Sequence, residues 1–213
     1  MKFATILVVI EVGGTIAFAM SGLLEAIRKR MDIIGVFSVA FVSAFGGGTV
    51  RDVLLDRRPL FWIQHQEYVW LVIVLALTAP LWLKTSRHQM TGKAMEFADA
   101  CGLGLFAISG ATIASSAGMP PLVSVLMGAI TAVFGGVSRD VLCNQIPKVY
   151  HDHSPYTLCA VVGCAVFLGL DALDLAPHWS TTAGICTVTG SRLLAVALGL
   201  KLPAWPAVKY NQD

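Results

Sequence analysis

Charge is what this sequence has least of. Only 13% of its 213 residues are Asp, Glu, Lys or Arg, while 56% are hydrophobic and the mean hydropathy is +0.72. A soluble domain carries roughly a quarter of its residues as charges, so an ordinary water-soluble globule is excluded and an integral membrane protein is indicated. There is no basic tract for nucleic acid, and the net charge of +2 carries little meaning where the placement of each cation matters more than the sum. Cysteine is sparse and never paired as CxxC. Cys101, Cys143, Cys159, Cys164 and Cys186 fall mostly in apolar runs and read as packing residues rather than as disulfides or metal ligands. The chain also lacks a phosphate-binding Walker loop, a zinc-protease helix and a serine-nucleophile elbow, so no enzyme activity and no cofactor are expected.

What the chain does have is long apolar runs. Each span needs about 20 residues to cross the hydrocarbon layer, and seven can be drawn, at roughly Thr5–Leu24, Asp32–Leu55, Tyr68–Leu83, Phe97–Ala117, Pro121–Leu142, Tyr156–Leu173 and Thr181–Leu200. Lys2, the apolar run after it and Ala17-Phe18-Ala19 imitate a signal peptide with its cleavage site. Glu11 inside that run argues for a retained first span. Arg28 to Arg30, Lys84, Arg87, Lys93, Lys148, Lys201 and Lys209 fall on one side of the membrane, against Lys2, Arg57 and Arg58 on the other. The positive-inside rule then puts the N-terminus outside and the C-terminus in the cytoplasm.

A slide of 88 residues lays the chain on itself. Phe18 to Gly22 fall on Phe106 to Gly110, Gly47-Gly48 on Gly135-Gly136, Arg51 to Leu54 on Arg139 to Leu142, Pro59 on Pro147, and Glu11 on Asp99. The offset covers an odd number of spans, so the two copies enter the membrane from opposite faces. The expected architecture is one all-α transmembrane domain built from two inverted three-helix repeats, about 5–83 and 94–173, plus a seventh helix at about 181–200. Such folds place a solute path at the repeat interface, through discontinuous helices.

The motif that organises the chain is duplicated by this slide. Gly46-Gly47-Gly48-Thr49-Val50-Arg51-Asp52 in the second span returns as Gly135-Gly136-Val137-Ser138-Arg139-Asp140 in the fifth. Runs of glycine weaken a helix, and backbone freed at such a break must face protein or water rather than lipid. Both spans are therefore expected to kink at their glycines, the alternative being that each helix ends there. A charge at mid-membrane costs about 2.5–3.5 kcal/mol on insertion scales, which marks Arg51, Asp52, Arg139, Asp140, Glu11, Asp99 and Arg192. The two Arg-Asp pairs are read as an electrostatic lining that selects and gates a permeant species, or else as salt bridges joining the halves. Neighbours on a helix point about 100° apart, so one member of each pair would face the path while the other ties spans together. Thr49 and Ser138 would coordinate an ion or cap freed carbonyls. Glu11 and Asp99 would either pair with an arginine such as Arg192 or bind a proton or cation. Ser21-Gly22 and Ser109-Gly110 read as close helix packing, and Trp62, Tyr68, Trp70, Tyr156 and Trp179 as interfacial aromatics. His151 and His153, flanking Asp152, read as a solvated loop, with no metal site expected.

Paired Gly-Gly motifs, each followed by Arg-Asp, on the second and fifth of seven spans resemble the trimeric intracellular cation (TRIC) channel family in its prokaryotic branch. The resemblance runs from about Thr5 to Leu200. It implies a homotrimer in a bacterial inner membrane, with a pore through each protomer that is lined by the two kinked helices and permeable to potassium and sodium. It would put Gly46, Gly47, Gly48, Thr49, Arg51 and Asp52 on one wall and Gly135, Gly136, Ser138, Arg139 and Asp140 on the other. Lipid and monovalent cations would be its partners. Two departures stand out: Phe134 occupies the place of a third glycine in the second motif, and arginine follows the glycines where animal members have a lysine tied to lipid and gating. An inverted repeat with adjacent opposite charges also suits a secondary transporter of a small amino acid such as glycine, with Arg holding the carboxylate and Asp the ammonium.

Overall fold

The computed structural model describes residues 3–83, 88–151, 154–173 and 175–203, and every regular element among them is helical. The elements are α1 (Phe3–Arg28), α2 (Ile33–Leu54), α3 (Phe61–Gln64), α4 (Gln66–Leu83), α5 (His88–Ser116), α6 (Pro121–Leu142), α7 (Lys148–His151), α8 (Tyr156–Asp171) and α9 (Pro177–Ala197). A long helix occupies each of the seven expected spans. By length and apolarity, four of the described stretches suffice to cross a membrane: Thr5–Arg28, Ile33–Leu54, Gly92–Ser116 and Pro121–Leu142. Gln66–Ala79 and Tyr156–Asp171 are shorter apolar helices. The single turns α3 and α7 were not foreseen; four residues leave no periodic signal.

Local chemistry sets the helix ends. Asp32 caps α2, its Oδ1 accepting from the Gly35 amide at 2.8 Å, and Pro121 opens α6, where a missing N–H costs nothing. Both helices close in the same way. Asp56 and Asn144 take left-handed φ values of 50° and 53°, and the amides of Arg57 and Gln145 return to the carbonyls of Asp52 and Asp140 at 2.7 and 2.9 Å. Asp and Asn are the non-glycine residues that adopt this turn most readily. These pairs also stand 88 positions apart, so the repeat seen in the sequence extends to the hydrogen bonds that end its helices.

The core lies where α1, α2, α5 and α6 meet, and α8 and α9 pack against α5 and each other. Phe18, Leu23, Phe45, Leu103, Phe106 and Ile108 are fully buried there. Leu54, Trp70, Leu122, Leu158, Trp179 and Leu194 face outward, giving the apolar exterior that lipid requires.

Of the two readings of the glycine motifs, the one in which each helix ends there is overturned. α2 continues through Gly46, Gly47 and Gly48, and α6 through Gly135 and Gly136. Their purpose is close approach. A Cβ on Gly47 would overlap the carbonyl oxygen of Thr131, and one on Gly135 would stand 2.6 Å from the carbonyl oxygen of Ser43. Position 47 thus meets 131 while 43 meets 135, so the two helices cross antiparallel at their glycines. Removing side-chain bulk lets the two backbones touch without opening either hydrogen-bond ladder.

Candidate functional site

Just past the crossing, each helix presents its arginine to a buried cluster. Arg51 is 0% exposed; its Nε donates to Asp52 Oδ1 at 2.8 Å, and its Nη1 donates to Glu11 Oε1 at 3.1 Å and to Ser109 Oγ at 3.0 Å. Arg139, 1% exposed, repeats this with the partners displaced by 88 positions. Its Nε donates to Asp140 Oδ1 at 2.9 Å, and its Nη1 to Asp99 Oδ1 and Ser21 Oγ. Each cluster draws its arginine and both carboxylates from one half of the chain and its hydroxyl from the other.

The second oxygen of each aspartate holds a loop. Asp52 Oδ2 accepts from the Phe61 amide at 2.8 Å, at the start of α3, and Asp140 Oδ2 accepts from the Lys148 amide at 3.0 Å, at the start of α7. Phe61 closes over the first cluster, with its ring centroid 5.2 Å from the Arg51 guanidinium carbon. Tyr68 and Tyr156, another repeat pair, are buried beside the clusters, and their hydroxyls are without a hydrogen-bond partner among the described residues.

Several sequence expectations change at this point. Arg51 and Asp52, like Arg139 and Asp140, bond each other, because each arginine bends back to its own neighbour. Glu11 and Asp99 do pair with arginine, but with Arg51 and Arg139. Arg192 stands elsewhere: its Nη1 donates to Ser154 Oγ at 2.8 Å and its guanidinium carbon lies 4.7 Å over the Tyr156 ring. Thr49 accepts from Trp62 Nε1 at 3.0 Å rather than capping a freed carbonyl, and Ser138 lies across the crossing from Gly46. Tyr68 and Tyr156 are core residues rather than interfacial ones, whereas Trp70 and Trp179 are exposed as expected.

Three residues were underread. Ser21 and Ser109 look like packing residues, and only the Arg-Asp motif across from them makes their hydroxyls necessary. Glu25, 2% exposed, joins Arg28 at 2.8 Å and Gln145 at 2.7 Å, tying the end of α1 to the turn after α6. An acid in the last turn of an apolar span was its available signal. The five cysteines are free. Asp152 and His153 lie outside the described residues, as does the side chain of His151; among the described residues no three His, Cys, Asp or Glu side chains gather as a metal site.

An apolar helical bundle with one buried ion cluster on each side of a duplicated crossing is a polytopic membrane protein of internally repeated type. Comparison with known proteins gives the family. The model described as "Glycine transporter" matches twice, at residues 8–84 and 96–172, one copy on each repeat. An UPF0126 membrane protein of Vibrio cholerae is 32% identical over 205 residues, covering 96% of this chain and 85% of that one. The UPF0126 inner membrane protein YadS of Escherichia coli is 32% identical over 196 residues, covering 92% and 94%. Among solved structures, the TRIC trimeric intracellular cation channel orthologue from Rhodobacter sphaeroides superposes with a TM-score of 0.86 at 33% identity, over 92% of this chain and all of that one. A prokaryotic TRIC channel in 0.5 M KCl gives 0.87 at 28% identity, over 94% of this chain and all of that one. The chain belongs to this family, the prokaryotic branch of the TRIC channels. The solved proteins it resembles are channels rather than enzymes.

Proposed function

We propose that this protein is a monovalent cation channel of a bacterial inner membrane, passing potassium or sodium through each protomer between α2 and α6. The observation that carries this is the composition of the clusters: each buried arginine is met by two carboxylates, so the buried groups of each cluster sum to a formal −1, with the exposed Arg57 reaching Asp52 Oδ1 at 3.6 Å from outside the first. Arginines facing a path alone would repel cations. Buried arginines outnumbered two to one leave a negative field, fullest at the Arg139 cluster and partly offset by Arg57 at the other, and acidic rings are a common basis of cation selectivity. The same geometry disfavours a glycine carrier. Nε and Nη1 of both arginines are already bonded within the protein, and Arg139 Nη2 meets Asp140, so only Arg51 Nη2 is open among the described residues and a carboxylate held by two donors would have to displace a protein partner.

In this reading the seven long helices all span the membrane, as two inverted three-helix repeats (α1, α2, α4 and α5, α6, α8) with α9 as the seventh. The antiparallel crossing of equivalent helices supports the inversion. The N-terminus is outside and the C-terminus cytoplasmic, and three protomers assemble, each with its own path. The walls are Gly46, Gly47, Gly48, Thr49, Arg51 and Asp52 on α2 and Gly135, Gly136, Ser138, Arg139 and Asp140 on α6. Arg51, Asp52, Arg139 and Asp140 are each 2% exposed or less, so conduction requires α2 and α6 to part. No cofactor takes part, and the only small partner is the permeant ion.

Planar-bilayer recording of the purified protein in a KCl gradient, with and without millimolar glycine, tests the reading. Unitary currents reversing near the potassium potential and indifferent to glycine are expected. Electrical silence together with saturable glycine uptake into liposomes would overturn it.

A further inference from the structure

A second polar site lies at the end of the bundle where α9 finishes, separated from the Arg139 cluster by the Tyr156 ring. It is a cavity of about 130 Å³ lined by Glu96, Lys148, Ser154, Arg192 and Lys201 together with the backbone turn after α9. Three of these side chains are cations and one is a carboxylate, a formal excess of two positive charges around one half-open cavity. Arg192 is the decisive member. It is only 4% exposed, yet among the described residues no carboxylate lies within 4.0 Å of its guanidinium, whose contacts there are the Ser154 hydroxyl and the Tyr156 ring. Every other buried arginine described, Arg51 and Arg139, has two carboxylates. A buried charge without a counter-charge is costly, and a cation in this position with no carboxylate partner among the described residues is suited to an anion. Among the described residues Lys148 and Lys201 make no ion pair: the Lys148 ammonium has one contact, Met95 Sδ at 4.0 Å, and Lys201 is exposed at the mouth.

We propose that this cavity binds a phosphate-bearing anion, with Arg192 at its floor, Lys148 and Lys201 at its rim and the Ser154 hydroxyl as a further donor. The planar guanidinium suits two phosphate oxygens at once, and ammonium groups supply point charges around them. Glu96, on the cavity wall, makes no ion pair with these cations among the described residues and disfavours anions of high charge. Basic pockets between helices at a membrane face are suited to anionic headgroups, and free phosphate offers the same oxygens. The site is independent of the ion path and stands or falls separately from it.

The test uses the full-length protein purified in a neutral detergent. Inorganic phosphate is titrated against chloride at matched ionic strength while thermal unfolding is followed, since a ligand that binds only the folded state raises the melting temperature. Retention of phosphatidylglycerol is read in parallel by native mass spectrometry, with phosphatidylcholine as the control lipid. Stabilisation by phosphate, weakened about tenfold in apparent affinity by Arg192→Gln and by Lys201→Gln, establishes a free-phosphate site. Selective retention of phosphatidylglycerol, lost in the same variants and without any phosphate effect, establishes a headgroup site. Lys201→Gln lies on the surface and keeps the test interpretable if Arg192→Gln fails to fold. Neither probe binding, or both variants binding as the parent does, overturns the proposal.

Discussion

Phe18 and Phe106 stack face to face, with ring centroids 5.6 Å apart and planes inclined by 12°. They are the same position in the two copies of the repeat. A residue that touches its own equivalent must lie at the axis relating the copies, so this pair marks the centre of the duplicated bundle. Both rings are 1% exposed. Phe18→Ala and Phe106→Ala should each destabilise the protein by about 3–5 kcal/mol, and the double variant should fall short of the sum by about 0.5–1.5 kcal/mol, the worth of the stacked pair. Unfolding of the four proteins in denaturing detergent measures both; strict additivity would place the rings in separate environments.

The aspartates next to the arginines carry the channel reading. Asp52→Asn and Asp140→Asn each remove one negative charge from a cluster and keep one oxygen, enough for the arginine Nε or for the loop amide but not for both. Unitary potassium conductance should drop in each variant, and further in the double variant, while the elution profile of the purified protein stays that of the parent and the melting temperature falls, because one buried N–H loses its acceptor. Unchanged currents in all three would remove these residues from the ion path.

Glycines side by side in the motif should differ in tolerance. Gly47→Ala and Gly135→Ala drive a methyl into a facing backbone carbonyl that cannot move as a side chain would, and overpacking of this kind costs about 1–3 kcal/mol. At Gly46 the nearest atom to an added Cβ is Ser138 Oγ at 3.5 Å, an ordinary contact. Gly46→Ala should therefore leave the melting temperature close to the parent value, and the other two should lower it. Equal sensitivity at all three positions would return the glycines to the role of helix breakers.

Cys143, in the turn after α6, gives a chemical probe of the same region. Burial, reinforced by the Glu25 carboxylate, pushes its thiol up to about 11. The folded protein holds the proton through the range in which an ordinary thiol loses it, so the reactive thiolate is scarce at pH 8. Maleimide labelling mapped by peptide mass should be slow at Cys143 in the folded protein at that pH and fast once the chain is unfolded. Rapid labelling in the folded state would show that the turn opens readily.

Much of this architecture was readable beforehand. The apolar runs located every long helix, Pro121–Leu142 to the residue, and the offset of 88 paired Glu11 with Asp99 and Arg51 with Arg139 before either cluster was seen. What stayed hidden was the rotation of each helix about its own axis. α1 and α5 are apolar on most of their surface, so nothing in their pattern says that Ser21 and Ser109 turn toward arginines 118 and 58 residues away. Glycine is ambiguous for a related reason: the same absent side chain permits a break or a close crossing, and only the facing backbone decides. Arg192 was drawn toward Glu11 and Asp99 because all three are mid-membrane charges, although α9 carries it to the end of the bundle, beside Ser154.

The exchange of hydroxyls between the clusters has one further consequence. Ser109 completes the cluster of Arg51, and Ser21 completes that of Arg139. Neither half of the chain contains a finished ion cluster of its own; each lacks the one group that its twin supplies. A polypeptide of half this length would reach the same arrangement only by meeting a second copy. Joining the halves in a single chain makes that encounter obligatory, at a fixed ratio of one to one.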